Sequence, residues 1–219
     1  MYDIVFISYN EPNAEENYAK LIARFPKAKR VDGIKGIHYA HIAAAKKCLT
    51  RMFWVVDGDA EIVDSFDFNY NVRDETDTVH VWRSINPING LEYGYGGVKL
   101  LPRLLTLRMD TDSIDMTMSI SDKFKTHDTI SNITRFNTDP FNSWKSAFRE
   151  CCKLATIGDA EALIRLDRWC IVGRDLDAIA GANAGKTYGQ ENASNKEALA
   201  KINDFTWLQD RWSLGISQQ

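Results

Sequence analysis

Met52-Phe53-Trp54-Val55-Val56-Asp57-Gly58-Asp59-Ala60-Glu61-Ile62 is the stretch on which the reading of this chain turns. An unbroken apolar run, too short for a helix and bounded by charge, predicts a strand buried on both faces. It ends in two carboxylates one residue apart, and in open α/β sheets ligands gather at the carboxyl ends of the strands. Gly58 lets the backbone bend so that both carboxylates approach one hard cation. Magnesium and manganese take oxygen ligands of this kind, one or two carboxylates plus substrate phosphates. This is the chemistry of a nucleotide-sugar site. A solvated turn after a strand is the plainer account of the same residues, because Asp and Gly are turn formers.

Working outward, Ile4-Val5-Phe6-Ile7-Ser8 predicts a first strand that ends in the polar turn Tyr9-Asn10-Glu11-Pro12. Glu15 to Phe25 has helical spacing, with Tyr18, Leu21, Ile22 and Phe25 on one face. A short strand around Lys29-Arg30-Val31 stops at Asp32-Gly33, and Gly36 to Leu49 is an alanine-rich helix with a narrow stripe. The first sixty residues therefore alternate strand and helix, as a parallel nucleotide-binding sheet does. Val79-His80-Val81-Trp82-Arg83 predicts a further strand, leading to a glycine- and tyrosine-rich segment through Tyr93-Gly94-Tyr95-Gly96-Gly97. Ser131 to Phe136 reads as a strand after a loop containing His127-Asp128, and Asp139-Pro140 opens a helix, proline being well placed at a first helical position. Helices follow over Asp159 to Val172, Leu176 to Gly181 and Ser194 to Trp212. The expected fold class is α/β, a nucleotide-binding mixed sheet flanked by helices with a helical C-terminal part. One domain is expected over 1–219, with a nucleotide-binding half at 1–98 and an acceptor half at 99–219.

The chain has 219 residues, enough for one sizeable core, and 44% hydrophobic with 26% charged residues is a globular composition. A formal net charge of −3 provides no global attraction to nucleic acid or acidic membranes, although a local basic groove stays open. Cys48, Cys151, Cys152 and Cys170 lack metal-ligand spacing, so reduced thiols in a cytoplasmic protein are expected. Met1-Tyr2-Asp3 runs straight into a strand, so no leader is expected, and no apolar stretch is long enough to span a bilayer.

Candidate site residues fall on one edge of the expected sheet. Ser8, Tyr9, Asn10 and Glu11 follow the first strand, where stacking and hydrogen bonds would grip a base and ribose. Asp32 would accept from a uracil N–H, and Lys35 or the amino end of the following helix would sit beside a diphosphate. Asp57 and Asp59 would hold Mn2+ or Mg2+, with Gly58 between them; the metal's task would be Lewis-acid and templating work on the departing phosphates. Individually each residue has an ordinary alternative, Asp32-Gly33 being most simply a turn.

The turn Ser8-Tyr9-Asn10-Glu11, the Asp57-Gly58-Asp59 group and Gly96-Gly97-Val98-Lys99-Leu100-Leu101-Pro102-Arg103 resemble a compact GT-A glycosyltransferase. Ile133-Thr134-Arg135-Phe136-Asn137-Thr138-Asp139-Pro140, with Trp144, Phe148-Arg149-Glu150 and Ile202-Asn203-Asp204-Phe205, is similar to a tailed-bacteriophage branch related to the base J glucosyltransferases. The resemblance implies a GT-A-like sheet and sugar transfer from a UDP-sugar to the hydroxyl of a hydroxymethylated pyrimidine in DNA, inside the host cell cytoplasm. A protein or saccharide acceptor, or a non-catalytic nucleotide-binding phage protein, is the alternative.

Transfer with inversion needs a base for the acceptor proton. Asp139 is the preferred candidate and Glu150 the second, with helix capping as the plainer role for Asp139. Arg149 is a candidate phosphate ligand. His127-Asp128 would complete a metal shell if not simply a loop. His38 and His41 would contact the donor, although ordinary partly buried histidines serve as well. Gly181-Ala182-Asn183-Ala184-Gly185-Lys186-Thr187 is a residue short of a P-loop and reads better as a glycine-rich turn between helices. Lys99, Arg103, Arg108, Lys123, Lys125, Arg135, Lys145 and Arg149 would form a DNA groove if they share a face. Trp82, Tyr93 and Tyr95 are the stacking candidates for an extruded base.

Overall fold

A computed structural model describes residues 1–93, 96–113 and 115–216, without the side chains of 93 and 216. The chain falls into two compact units, Met1–Asn86 with Glu92–Arg135, and Pro87–Leu91 with Phe136–Gln219. The expected halves divide at 98–99; the units divide near residue 135.

The first unit runs β1 (Asp3–Ser8), α1 (Ala14–Arg24), β2 (Lys29–Asp32), α2 (Ile37–Lys47), β3 (Met52–Asp57), β4 (Ala60–Ile62), β5 (Val79–Ile85), β6 (Glu92–Tyr93), β7 (Val98–Pro102), the short helices α3 (Arg103–Thr106) and α4 (Met116–Ile120), and β8 (Phe124–Thr134). Its strands form one mixed sheet in the order β2-β1-β3-β7-β5-β8-β4, with β6 on β5. β1 is parallel to β2 and β3, whereas β7 is antiparallel to both β3 and β5. The α/β class and the helical C-terminal part are as expected.

β3 is an unbroken apolar run because both sheet faces are covered. Trp54 and Val56 pack with Phe6, Leu21, Phe66, Phe68 and Trp82 on one side. Phe53 and Val55 pack with Val5, Val31 and the α2 residues Ala40, Ala44 and Ala45 on the other. Alanines on α2 allow the helix axis to lie close to the strands. Trp82 is 4% exposed and sits in an aromatic cluster with Trp54, Phe66 and Tyr70, so it is a core residue and is not available to stack on a base. Tyr95 and the side chain of Tyr93 lie outside the described residues.

His127 and Asp128 belong to β8 instead of a loop. His127 stacks on Trp82 with centroids 4.2 Å apart, and its Nε2 is 3.1 Å from His80 Nδ1. Asp128 pairs with Arg83 at 2.8 Å. The strand starts earlier than its apolar pattern suggests because its first half is largely exposed and polar.

The second unit is helical: α5 (Pro140–Ile157), α6 (Ala160–Ile171), α7 (Leu176–Glu191), α8 (Lys196–Ala200), a 3-10 turn (Lys201–Asn203) and α9 (Phe205–Ile216). The Gly181–Thr187 stretch is the interior of α7 and not a turn. Gly181, Gly185 and Gly189 lie four residues apart on one face of α7, against α5. A Cβ on Gly185 would stand 2.2 Å from the Phe148 carbonyl oxygen, and one on Gly181 2.2 Å from that of Trp144. Gly189 meets Cys152 in the same way, at 2.5 Å. The glycines thus bring two helix backbones into direct contact, which compensates for their poor helix propensity.

No helix among the described residues is long and apolar enough to cross a membrane.

Overpacking at this contact is the sharpest test of the arrangement. Gly185→Ala should destabilise the second unit by about 1–3 kcal/mol, read as a lower thermal midpoint; an unchanged midpoint would mean that the two helices are not in backbone contact.

Candidate functional site

Three parallel strands deliver their carboxyl ends side by side. Ser8 is in register with Asp32, and Ile7 with Asp57. Ser8 Oγ donates to Asp32 Oδ1 at 2.5 Å, and Arg30 Nη2 donates to the same oxygen at 3.2 Å. Arg30 also gives Nε–H to Ser8 Oγ at 3.0 Å and pairs with Glu15 at 2.7 Å. Gly33 N–H binds the Ser8 carbonyl at 3.0 Å, so the Asp32-Gly33 turn is tied to the end of β1.

The turn after β1 is folded back by its own acid. Asn10 has φ of 63°, a left-handed conformation that asparagine tolerates better than most residues. This brings Glu11 Oε2 to 2.6 Å from the Tyr9 N–H. The same oxygen lies against Gly58, where an added Cβ would be 2.6 Å from it and 3.2 Å from the Ile7 carbonyl oxygen. A side chain at Gly58 would displace the Glu11 carboxylate and crowd the Ile7 carbonyl, and Asn17 Nδ2 on α1 fixes the Gly58 carbonyl at 2.9 Å.

Asp57, Asp59 and Glu11 thus surround Gly58, and the counter-charge comes from β7. Lys99, 4% exposed, donates to both oxygens of Asp57 at 2.9 and 2.8 Å and to the Gly96 carbonyl. Burial pushes the Asp57 carboxyl up, and Lys99 pulls it back. Asp59 is less well compensated: burial first, then the charges of Asp57 and Glu11, push it up to about 7, against a partial offset from Lys99. Lys99 bonds Asp57 and only partly offsets the charge at Asp59, so the cluster with Glu11 carries a surplus of negative charge that a hard divalent cation would relieve. In donor chemistry and charge the residues fit such an ion. Asp57, however, is already occupied by Lys99, and among the described residues no group of three His, Cys, Asp or Glu side chains is gathered at metal-ligating spacing.

Of the remaining expected residues, Tyr9 is half-buried, while Asn10 and Lys35 are exposed. His41 is 2% exposed. Its Nδ1 is 2.8 Å from the Ile37 carbonyl, which only accepts, so Nδ1 carries the proton and Nε2 the lone pair. Burial, then the Lys99 charge, lowers its pKa to about 3. It is a neutral histidine of the helix–sheet layer beside Lys99.

Asp139 and Glu150 lie on α5, in the second unit. Asp139 is exposed and caps the helix, accepting from Asn142 N–H at 2.8 Å and Asn142 Nδ2 at 2.6 Å. Glu150 is half-buried, eleven residues further, or about 16 Å along the helix axis. The two therefore cannot share one proton. Arg149 Nη2 donates to Asn203 Oδ1 at 2.9 Å.

Five of the basic residues expected to line a groove have partners within the first unit. Lys99 is buried on Asp57, and Arg103 Nε binds the Ala45 carbonyl at 3.0 Å. Lys123 pairs with Asp77, Lys125 with Glu75 and Arg135 with Glu61. Lys99 and Arg30 are the site residues that sequence reasoning did not place here. A lysine inside the apolar run Val98-Lys99-Leu100-Leu101 is itself a signal, since a buried ammonium needs a carboxylate.

No protein-family model matches the chain, and no curated protein matches it. Among solved structures, HddC from Yersinia pseudotuberculosis is similar at 12% identity over 59% of this chain and 90% of that one, with a TM-score of 0.40. A likeness at that level bears on neither the fold nor the chemistry.

The electrostatics make a signed prediction. In metal-free buffer the folded Asp59 carboxyl, at about 7, lies above its ordinary value of 3.8. Between these values the native state holds more protons, so stability falls as pH rises through the window and the full penalty stands above it. Asp59→Asn removes that penalty. Its thermal midpoint should exceed wild type at pH 8 by a few degrees, at about 2–4 °C per kcal/mol for a chain of this size. The gap should close near pH 4; equal midpoints at pH 8 would refute the charge surplus.

Proposed function

We propose that the chain is a glycosyltransferase that moves a sugar from a UDP-sugar to a hydroxyl, most specifically that of a hydroxymethylated pyrimidine in phage DNA. The observation that carries this reading is the convergence of Ser8, Glu11, Asp32, Asp57 and Asp59 on the carboxyl edge of β1, β2 and β3. A mixed sheet whose β2-β1-β3 half is parallel is also the architecture that the GT-A resemblance implies. The acceptor is proposed from the resemblance alone.

In this reading the Asp32 carboxylate, oriented by Ser8 and Arg30, takes a base N–H of the nucleoside. The amino end of α2, an eleven-residue helix with Gly36 at its cap, offers backbone N–H groups to the phosphates. Asp59 and Glu11 are the residues that would hold Mn2+ or Mg2+, with Asp57 joining them if Lys99 gives way. When bound, the ion supplies charge neutralisation to the departing diphosphate. Lys99, buried at the same edge, contributes a fixed positive charge whether or not the ion is present. Asp139 or Glu150 would take the proton of the acceptor hydroxyl, a role that requires an inverting reaction.

Two alternatives are separated by measurement. A protein or saccharide acceptor predicts turnover without DNA, and a non-catalytic nucleotide-binding protein predicts UDP binding without turnover. Calorimetric titration with UDP should show binding that tightens at least about tenfold when Mn2+ is added, and Asp59→Asn should abolish the metal effect. Absence of UDP binding with and without metal would overturn the assignment. Incubation of hydroxymethylated DNA with candidate UDP-sugars, followed by nucleoside mass spectrometry, should reveal a glycosylated base. Unmodified nucleosides with every donor would exclude the DNA acceptor.

A further inference from the structure

α6 carries apolar side chains on both of its faces. Ala162, Leu166 and Trp169 are buried, on the side that packs on α5 and α7. On the other side Ile164 and Ile171, seven residues or two turns apart, are 70% and 74% exposed. Leu163 and Val172, next to them in the chain, are exposed as well. Ile157, the last residue of α5, and Leu176, the first of α7, carry the apolar exposure past either end of the helix. A surface helix ordinarily keeps its outer face polar, and one that is apolar all round is a buried helix. Exposed apolar side chains gathered in this way mark an interaction surface.

Two charges stand between the isoleucines. Asp167 is three residues after Ile164 and Arg168 three before Ile171, so all four share one face of the helix. The face therefore reads Ile-Asp-Arg-Ile, apolar at both ends with one acid and one base at its centre. Both charges have bonding capacity to spare. Asp167 lies 3.7 Å from Lys186, longer than a charge-assisted hydrogen bond, and its side chain is 68% exposed. Arg168 is exposed and gives its Nε–H to the Asn89 carbonyl at 2.9 Å, while its guanidinium has further N–H donors on the two Nη atoms.

We propose that this face binds the same face of a second copy of the chain, the two α6 helices running antiparallel about a two-fold axis midway between Asp167 and Arg168. In that register Ile164 meets Ile171 of the second copy, Leu163 meets Val172 and Asp167 meets Arg168, and each contact occurs twice. An isologous contact requires a patch that is complementary to itself when reversed. The α6 face meets that requirement, because acid and base exchange places across the axis while isoleucine stays opposite isoleucine. A parallel pairing would instead set Asp167 on Asp167 and Arg168 on Arg168. The apolar pairs supply the attraction, and the charges fix the register. None of these residues belongs to the carboxylate cluster of the first unit, so dimerisation stands independently of sugar transfer.

The test is the association state of the full chain. One helix of 12 residues is smaller than the about 20–30 residues a side of a standard interface, so sedimentation velocity between about 2 and 400 µM should show a monomer–dimer equilibrium with a dissociation constant of about 10–100 µM. Ile164→Asp, which buries a carboxylate in the contact, should weaken association by at least about tenfold. Asp167→Arg and Arg168→Asp should each do the same, by setting like charges opposite one another twice. The variant carrying both changes should recover to within about threefold of wild type, since the pairs are restored with their signs reversed. Thermal midpoints show that each variant is folded; if Arg168→Asp loses its fold with the Asn89 contact, the wild-type series and Ile164→Asp decide. A chain that stays monomeric throughout would overturn the proposal, as would a dimer untouched by Ile164→Asp or a folded double variant that fails to recover. Flotation of a monomer with phosphatidylcholine–phosphatidylglycerol vesicles would assign the face to a lipid surface and overturn it likewise.

Discussion

The ion pair between Lys99 and Asp57 is the constraint around which the first unit is arranged. It places an ammonium that is almost fully buried against the end of the most buried strand, with both carboxylate oxygens and the Gly96 carbonyl around it. Removing Asp57 would leave the buried ammonium without a carboxylate, which is costlier than losing the attraction itself, whereas Asp57, 35% exposed, keeps access to water. The pair also decides how Asp57 and Asp59 divide their roles. Asp57 is neutralised from within the sheet, while Asp59, with Glu11 beyond Gly58, retains an unmet demand for positive charge. An isolated Asp-x-Asp would make the two carboxylates equivalent; here they are not.

Backbone proximity supports that electrostatic arrangement. Gly58 leaves room for the Glu11 carboxylate, whose oxygen would stand 2.6 Å from a Cβ there, and Gly97 does the same for the buried Asn132 amide, at 2.7 Å. Asn132 in turn accepts from Ser84 and Ser131 and donates to Thr134, a closed polar network between β5 and β8. Such a network is stabilising only when every member is satisfied. It ties β8 to β5, which is the neighbour of β7, the strand that carries Lys99.

Much of this was legible in the residues, and for identifiable reasons. β3 announced itself because both of its faces are covered. The α5 start was plain because Asp139 and Pro140 satisfy the same helix terminus in two ways. The edge position of Ser8, Asp32 and Asp57 followed from strand–helix alternation. Lys99 was assigned to a surface groove because its partner is 42 residues away and the antiparallel return of β7 beside β3 has no local signature. The first half of β8 carries no strand signal in the sequence because its residues are exposed and its backbone pairing with β5 leaves no apolar pattern. The sequence pattern stops α7 at Gly181 because glycine is a poor helix former by itself, and only the neighbouring helix explains its presence.

That neighbouring helix has a consequence for the motions of the second unit. Where side chains separate two helices, each can breathe by rotating its own rotamers. At Gly181, Gly185 and Gly189 there is no such cushion, and main chain rests on main chain over three consecutive turns. α5 and α7 cannot fray independently across that length; their amides should open as one cooperative element and exchange with solvent at a common, slow rate.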